Sequence, residues 1–192
     1  MPIPTSSKQA TPPSPGQGPR RVVVIGTTGS GKTTVARQLA QRLGLVHVEI
    51  DALHWQAGWQ ETPHEVLRQR VQQATQGPAW VVDGNYSQLR DILWPRADTV
   101  AWLDYAFARV IGQLFRRTLR RTLGREVLWN QNRERFWVQF LSRDSLFLYA
   151  CQTHWRRRRQ YGQLFQQPEQ AHLAVVRLHS PRATRQWLDS LG

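Results

Sequence analysis

The residues of this chain best suited to chemistry stand eight in a row: Gly26-Thr27-Thr28-Gly29-Ser30-Gly31-Lys32-Thr33. They match the pattern G-x-x-x-x-G-K-[S/T] in full. Glycines at these spacings let the backbone turn its N–H groups inward around an anion, in conformations that a side chain would block. A helix starting near Lys32 adds its positive end. In this pattern the lysine reaches the β- and γ-phosphates of a nucleotide, and the threonine hydroxyl is a Mg²⁺ ligand. The expected cradle runs from Gly26 to Thr33 with Thr34 behind it, and its expected ligands are ATP and Mg²⁺. A chance glycine-rich turn would not sit between a buried apolar run and an amphipathic stretch, as this segment does.

Carboxylates elsewhere sort the possible reactions. The run Trp80-Val81-Val82-Asp83-Gly84-Asn85 has no glutamate after its aspartate, where hydrolases of this class usually carry one. An Asn-Lys-x-Asp guanine-reading motif is absent, which argues against a GTPase switch. Asp83 is placed to hold Mg²⁺ through water, or else is the first half of a turn-forming Asp-Gly pair. Asp51 falls at another strand's carboxyl end, where ligands of open α/β sheets bind. A carboxylate there can take the proton of an acceptor hydroxyl or orient it; the alternative is a turn or helix cap. His54, Trp55 and Trp59 follow, as acceptor pocket or as core.

Arginine carries the net charge of +13, since Lys8 and Lys32 are the sole lysines. Between residues 109 and 159, thirteen arginines stand against Glu126, Glu134 and Asp144. Such a region meets something anionic or is a solvated face. Arg116/Arg120 and Arg117/Arg121 form pairs one helical turn apart, and guanidinium forks suit the charge that spreads over a phosphoryl group in transfer. Nucleic acid is a second possible partner of the 109–159 region, where Trp129, Phe136, Trp137, Phe140 and Trp155 interleave with arginine; the same aromatics recur at helical spacing, the mark of a core.

The elements that must position these groups alternate. Residues 21–25 read as a buried strand, 33–43 as a helix stopped by Gly44, and 45–50 as a second strand ending at Asp51. A loop with His54, Trp55 and Trp59 precedes a helix over 62–76, with Thr62 as N-cap, Pro63 first in the helix and Glu65 completing a capping box. Strands follow at 80–82, 99–103 and 173–178. Helices follow from 107, over 133–161, and at 181–191. This order predicts an α/β fold with a doubly wound, five-stranded parallel sheet. Residues 1–20, rich in Pro, Ser, Gly, Thr and Gln, read as a flexible tail before one domain over 21–192. No secretory signal and no membrane-length apolar run occurs, so the expected setting is the cytoplasm without membrane contact. The lone Cys151 excludes an intrachain disulfide. Monomer and homodimer both remain open.

GTTGSGKT, IDALHWQAGW, WVVDGNYSQLRDILWPRADTVAWLD and the arginine helix leading into LGREVLWNQNRERF resemble the bacterial DNA topology modulation proteins, over roughly residues 20–190. That group is adenylate-kinase-like and sits in the nucleoside monophosphate kinase branch of P-loop folds. The resemblance implies ATP-dependent phosphoryl transfer to a small acceptor, an acceptor-binding helical region around 53–76 and a short lid around 116–135. It also implies that Lys32 and Thr33 meet phosphate and Mg²⁺, that Asp83 is the strand-end carboxylate, that Arg117 and Arg121 are lid arginines, and that the 180–182 loop, with Arg182, lies near adenine. The chain departs from adenylate kinases at Asp83-Gly84-Asn85-Tyr86-Ser87, where they carry Asp-Gly-Phe-Pro-Arg, a segment that helps bind their acceptor nucleotide. The family's name leaves a nucleic-acid-associated regulator that uses ATP as a ligand as the rival reading.

Overall fold

The strand that leads into the glycine-rich octet is the centre of the molecule. In the computed structural model, which describes residues 18–123 and 146–192 (side chains to 120 and from 151), the order is β1 (Arg21–Gly26), α1 (Lys32–Leu43), β2 (Val46–Glu49), α2 (Ile50–His54), α3 (His64–Ala74), β3 (Trp80–Asp83), α4 (Arg90–Leu93), β4 (Thr99–Leu103), α5 (Phe107–Leu123), α6 (Leu146–Leu164), β5 (Ala174–Leu178) and α7 (Pro181–Asp189). All strand pairs are parallel, and the sheet order is β2-β3-β1-β4-β5.

Period-two alternation in β1 divides the core into two layers. Val22 and Val24 pack with Val35, Ala36 and Leu39 of α1, Val110 of α5 and Leu188 of α7. Val23 and Ile25 face the other way, onto Leu67 and Val71 of α3, Leu93 of α4 and Tyr161 of α6. Four β-branched side chains of β1 are at most 2% exposed, as a strand covered on both faces requires. The expected doubly wound parallel sheet is the one observed.

Three local expectations are corrected. The second strand stops at Glu49, because its pairing with β3 ends at Glu49 opposite Asp83. Ile50 and Asp51 therefore open a helix, and Asp51 lies in its first turn rather than at a strand end. The stretch expected as loop around His54 and Trp55 is partly this helix. Thr62 does not cap α3: the N-cap is Pro63, with no side-chain cap. The Thr62 hydroxyl instead donates to the Leu53 carbonyl at 3.0 Å, since the last carbonyls of α2 lack helical partners.

The Arg20 and Arg21 amides both donate to Asp98 Oδ2, at 3.1 and 2.7 Å, so the carboxylate ties the chain's entry to the start of β4.

Candidate phosphate-binding site

β1 ends at Gly26, and the octet forms the turn into α1. Gly31 is the N-cap of α1 at φ 90°, a left-handed conformation that a Cβ would strain. No side chain caps this helix, so its first N–H groups are left for an anion. The Lys32 ammonium folds back over the loop and donates to the Gly26 and Thr27 carbonyls, at 3.0 and 3.3 Å. Burial lowers its pKa from 10.5 to about 8; Asp51 and Asp83 act against that, while Arg157 and Arg117 add to it.

Asp83, 4% exposed at the end of β3, engages both oxygens. Thr33 Oγ1 donates to Oδ2 at 2.5 Å, and His47 Nε2 lies 2.9 Å from Oδ1. Glu49 Oε1 accepts from Thr33 Oγ1 at 3.5 Å. Among the described residues no three His, Cys, Asp or Glu side chains are grouped to cage a metal. A hydroxyl beside a carboxylate, at the mouth of a phosphate loop, is nonetheless the oxygen set that suits Mg²⁺, which keeps most of its shell as water and phosphate. The residues fit that ion.

Asn85, two residues beyond Asp83, clamps the loop. Gly26 N donates to its Oδ1 at 3.1 Å, and its Nδ2 donates to Gly26 O at 2.5 Å. Tyr161 of α6 donates to the same Oδ1 at 3.4 Å. Asn85 also lines a narrow cleft, partly open to solvent, together with Ile50, Tyr86, Arg90 and Trp94. The Tyr86 hydroxyl donates to Asp51 Oδ1 at 2.7 Å and so orients that carboxylate.

Phosphate loop, flanking sheet and helices fall within one conserved type of domain: residues 22–189 match the AAA domain family. The chain belongs to the AAA domain family. Solved structures of like fold include a shikimate kinase from Acinetobacter baumannii in complex with shikimate (17% identity, 89% of each chain, TM-score 0.53). A shikimate kinase from Bacteroides thetaiotaomicron is similar too (14% identity, 91% of this chain and 97% of that one, TM-score 0.52). So is a sugar kinase from Janibacter sp. HTCC2649 (22% identity, 89% and 91%, TM-score 0.50). No curated protein sequence matches the chain.

In this AAA domain the expected site residues are distributed unevenly. Gly26 through Thr33 form the loop; Thr27 and Ser30 are buried, whereas Thr34 is exposed on α1. Asp51, Asp83 and Arg117 all act electrostatically on Lys32. Arg182 is exposed in the first turn of α7. The Arg121 side chain, residues 124–135 of the expected lid and, within the arginine-rich 109–159 region, residues 124–145 lie outside the described residues. Trp55 and Trp59 belong to neither core layer; they meet edge-on with ring centres 5.7 Å apart, and Trp59 is 38% exposed. Among the described residues no helix is long and apolar enough to cross a membrane.

Sequence reasoning missed several members. Asn85 and Tyr86 sat in view beside Asp83, but nothing local shows that an asparagine will bond a glycine 59 positions earlier. Arg157 was one of four successive arginines, without a sign of which would act on Lys32. His154, one turn before Arg158, lies with Nδ1 3.2 Å from Thr27 Oγ1 and joins α6 to the loop. Burial pushes its pKa down, which favours the neutral ring.

Proposed function

We propose that the protein is an ATP-dependent phosphotransferase, moving the γ-phosphoryl group of Mg·ATP to a small acceptor. The observation that carries this reading is the phosphate loop, clamped at Gly26 by Asn85, with a further carboxylate, Asp51, held by Tyr86 and acting electrostatically on the Lys32 ammonium. The reaction class is the one named for the sugar kinase and shikimate kinases of this fold.

In this reading the uncapped amides of α1 and the loop take the β- and γ-phosphates, and Lys32 exchanges its two carbonyl partners for phosphate oxygens. Thr33 and Asp83 hold Mg²⁺, which supplies charge neutralisation across the phosphates when bound. Asp51, oriented by Tyr86, accepts the proton of the acceptor hydroxyl as its oxygen bonds to phosphorus; the bridge to the β-phosphate breaks and ADP leaves with that electron pair. Arg117, Arg121 and Arg157 stabilise the charge on the transferring group, and Arg182 borders adenine. The 53–76 region frames the acceptor. The likeness to DNA topology modulation proteins and a cytoplasmic setting fit the same reading.

Incubation with Mg·ATP and a panel of small hydroxyl and phosphate compounds tests it. ADP should form only with an acceptor, in equal amount to a phosphorylated product. Lys32→Ala should lower kcat/KM by roughly 10²-fold or more, and Asp51→Asn should lower kcat with nucleotide affinity kept. ADP formed at the same rate without any acceptor would show an ATPase and end the proposal.

A further inference from the structure

His47 on β2 holds the oxygen of Asp83 that Thr33 does not take. In the pairing of β2 with β3, His47 stands opposite Val81 and Glu49 opposite Asp83. Period-two alternation puts these four side chains on one face of the sheet, the face that carries α1. His47 and Asp83 are diagonal neighbours there, a separation that only a long side chain spans. The imidazole spans it, with Nε2 2.9 Å from Asp83 Oδ1. A carboxylate oxygen accepts, so the proton of this bond sits on Nε2.

Thr33, in the first turn of α1, takes the other oxygen. Its hydroxyl lies 2.5 Å from Asp83 Oδ2 and 3.5 Å from Glu49 Oε1, and its single proton goes to the nearer. Donating there leaves the hydroxyl lone pairs for a cation. Arg37 meets Glu49 at 3.4 Å. The buried Asp83 carboxylate is therefore held at both oxygens, by side chains from two different elements. Held at one oxygen alone, a carboxylate still turns about its last bond, a torsion with broad minima. Mg²⁺ demands near-ideal octahedral placement of its oxygens and waters, and a turning carboxylate does not meet that demand.

Resting on the reading of Thr33 and Asp83 as the Mg²⁺ residues, we infer that His47 is a positioning residue for the metal. It acts through Asp83, by fixing the rotation of that carboxylate, and its donor hydrogen matters more than its bulk. Loss of such an outer partner weakens metal binding by roughly 10- to 100-fold in proteins generally. The loop amides and Lys32 take the phosphates without help from His47, so binding of metal-free ADP does not depend on it.

The test is Mg²⁺ binding, read by calorimetry on the full chain carrying one equivalent of ADP. His47→Leu removes the donor and should weaken Mg²⁺ roughly 10-fold or more, with ADP affinity in EDTA unchanged. His47→Ala is measured beside it, so that a misfit of the leucine is not mistaken for loss of the bond. His47→Gln sets an amide N–H near the place of Nε2 and should bring Mg²⁺ affinity back to within about 3-fold of wild type. A histidine that only stapled β2 to β3 would change the melting temperature and leave Mg²⁺ binding alone. Unchanged Mg²⁺ affinity in both His47→Leu and His47→Ala would overturn the inference. So would a glutamine variant no better than leucine, or an ADP affinity in EDTA that falls as far as that for Mg²⁺. Asp83→Asn separates the inference from the reading beneath it. Should Asp83→Asn weaken Mg²⁺ while the His47 variants do not, the inference alone fails; should it too leave Mg²⁺ binding unchanged, the metal role of Asp83 falls with it.

Discussion

Lys32 and Asn85 donate to the same atom, the Gly26 carbonyl oxygen, with Nζ at 3.0 Å and Nδ2 at 2.5 Å. One is the group that meets phosphate in this motif; the other lines the neighbouring cleft. When Lys32 turns to a polyphosphate, the asparagine alone still holds that carbonyl, so the loop keeps its shape while its ammonium is spent elsewhere.

Replacing Asn85 should therefore damage the loop more than the sheet. Asn85→Ala leaves the Gly26 amide and carbonyl without the side chain that pairs both, at a cost of about 1–3 kcal/mol. Asn85→Asp keeps an acceptor for the Gly26 amide but sets a carboxylate against the carbonyl. Its melting temperature should fall below that of Asn85→Ala, and its ADP affinity should fall at least 10-fold. Scanning calorimetry and nucleotide titration check both, and an unchanged ADP affinity in either variant would contradict the clamp.

Protonation of Lys32 should be linked to nucleotide binding. Burial holds its pKa near 8 in the folded chain against 10.5 otherwise. Between those values the unfolded chain binds the more protons, so this group makes stability rise with pH across that window. Below pH 8 the lysine is charged and its desolvation penalty is fully present. A bound polyphosphate reverses the bias and draws a proton onto the amine. At pH 8, ADP binding should take up roughly half a proton per chain, read by calorimetry in buffers of different ionisation heat. Lys32→Met should abolish the uptake, and proton release in the wild type would refute the assignment.

Two glycines should respond with opposite sign. Gly29 has φ 86°, and a Cβ there would lie 2.9 Å from Leu114 Cβ and 3.1 Å from the Val110 carbonyl on α5. Gly29→Ala should destabilise by about 1–3 kcal/mol and lower the melting temperature by roughly 3–10 °C. Gly112 lies within α5 with nothing within 4 Å of an added Cβ. Gly112→Ala should raise stability by about 0.5–1 kcal/mol. Equal melting temperatures for the two variants would refute the packing of the loop on α5.

Much of the architecture was legible from local pattern. Val22 to Ile25 are buried on both faces and read as a buried strand, and Val35, Ala36 and Leu39 have the spacing of one helical face. The octet was legible for a stronger reason: φ 90° at Gly31 and 86° at Gly29 are conformations that the residue type itself permits. Thr62 was misread because a threonine before Pro63 is a good cap in isolation, and only the approach of α2 offered its hydroxyl the Leu53 carbonyl instead.

By itself, then, the amino-acid order determined the features whose physics is local: the loop's backbone, the helix that opens on it, the alternation that makes a parallel sheet, and the charge on each side chain. Tertiary structure decided which distant groups meet. Placing β1 between β3 and β4 brings Asn85 to Gly26 and Asp83 to Thr33. Packing α4 and α6 on one face lays Arg90 over Trp94 and Tyr161. Such contacts depend on strand order and register, which many sequences of the same pattern could satisfy differently, and so they became visible only once the sheet was assembled.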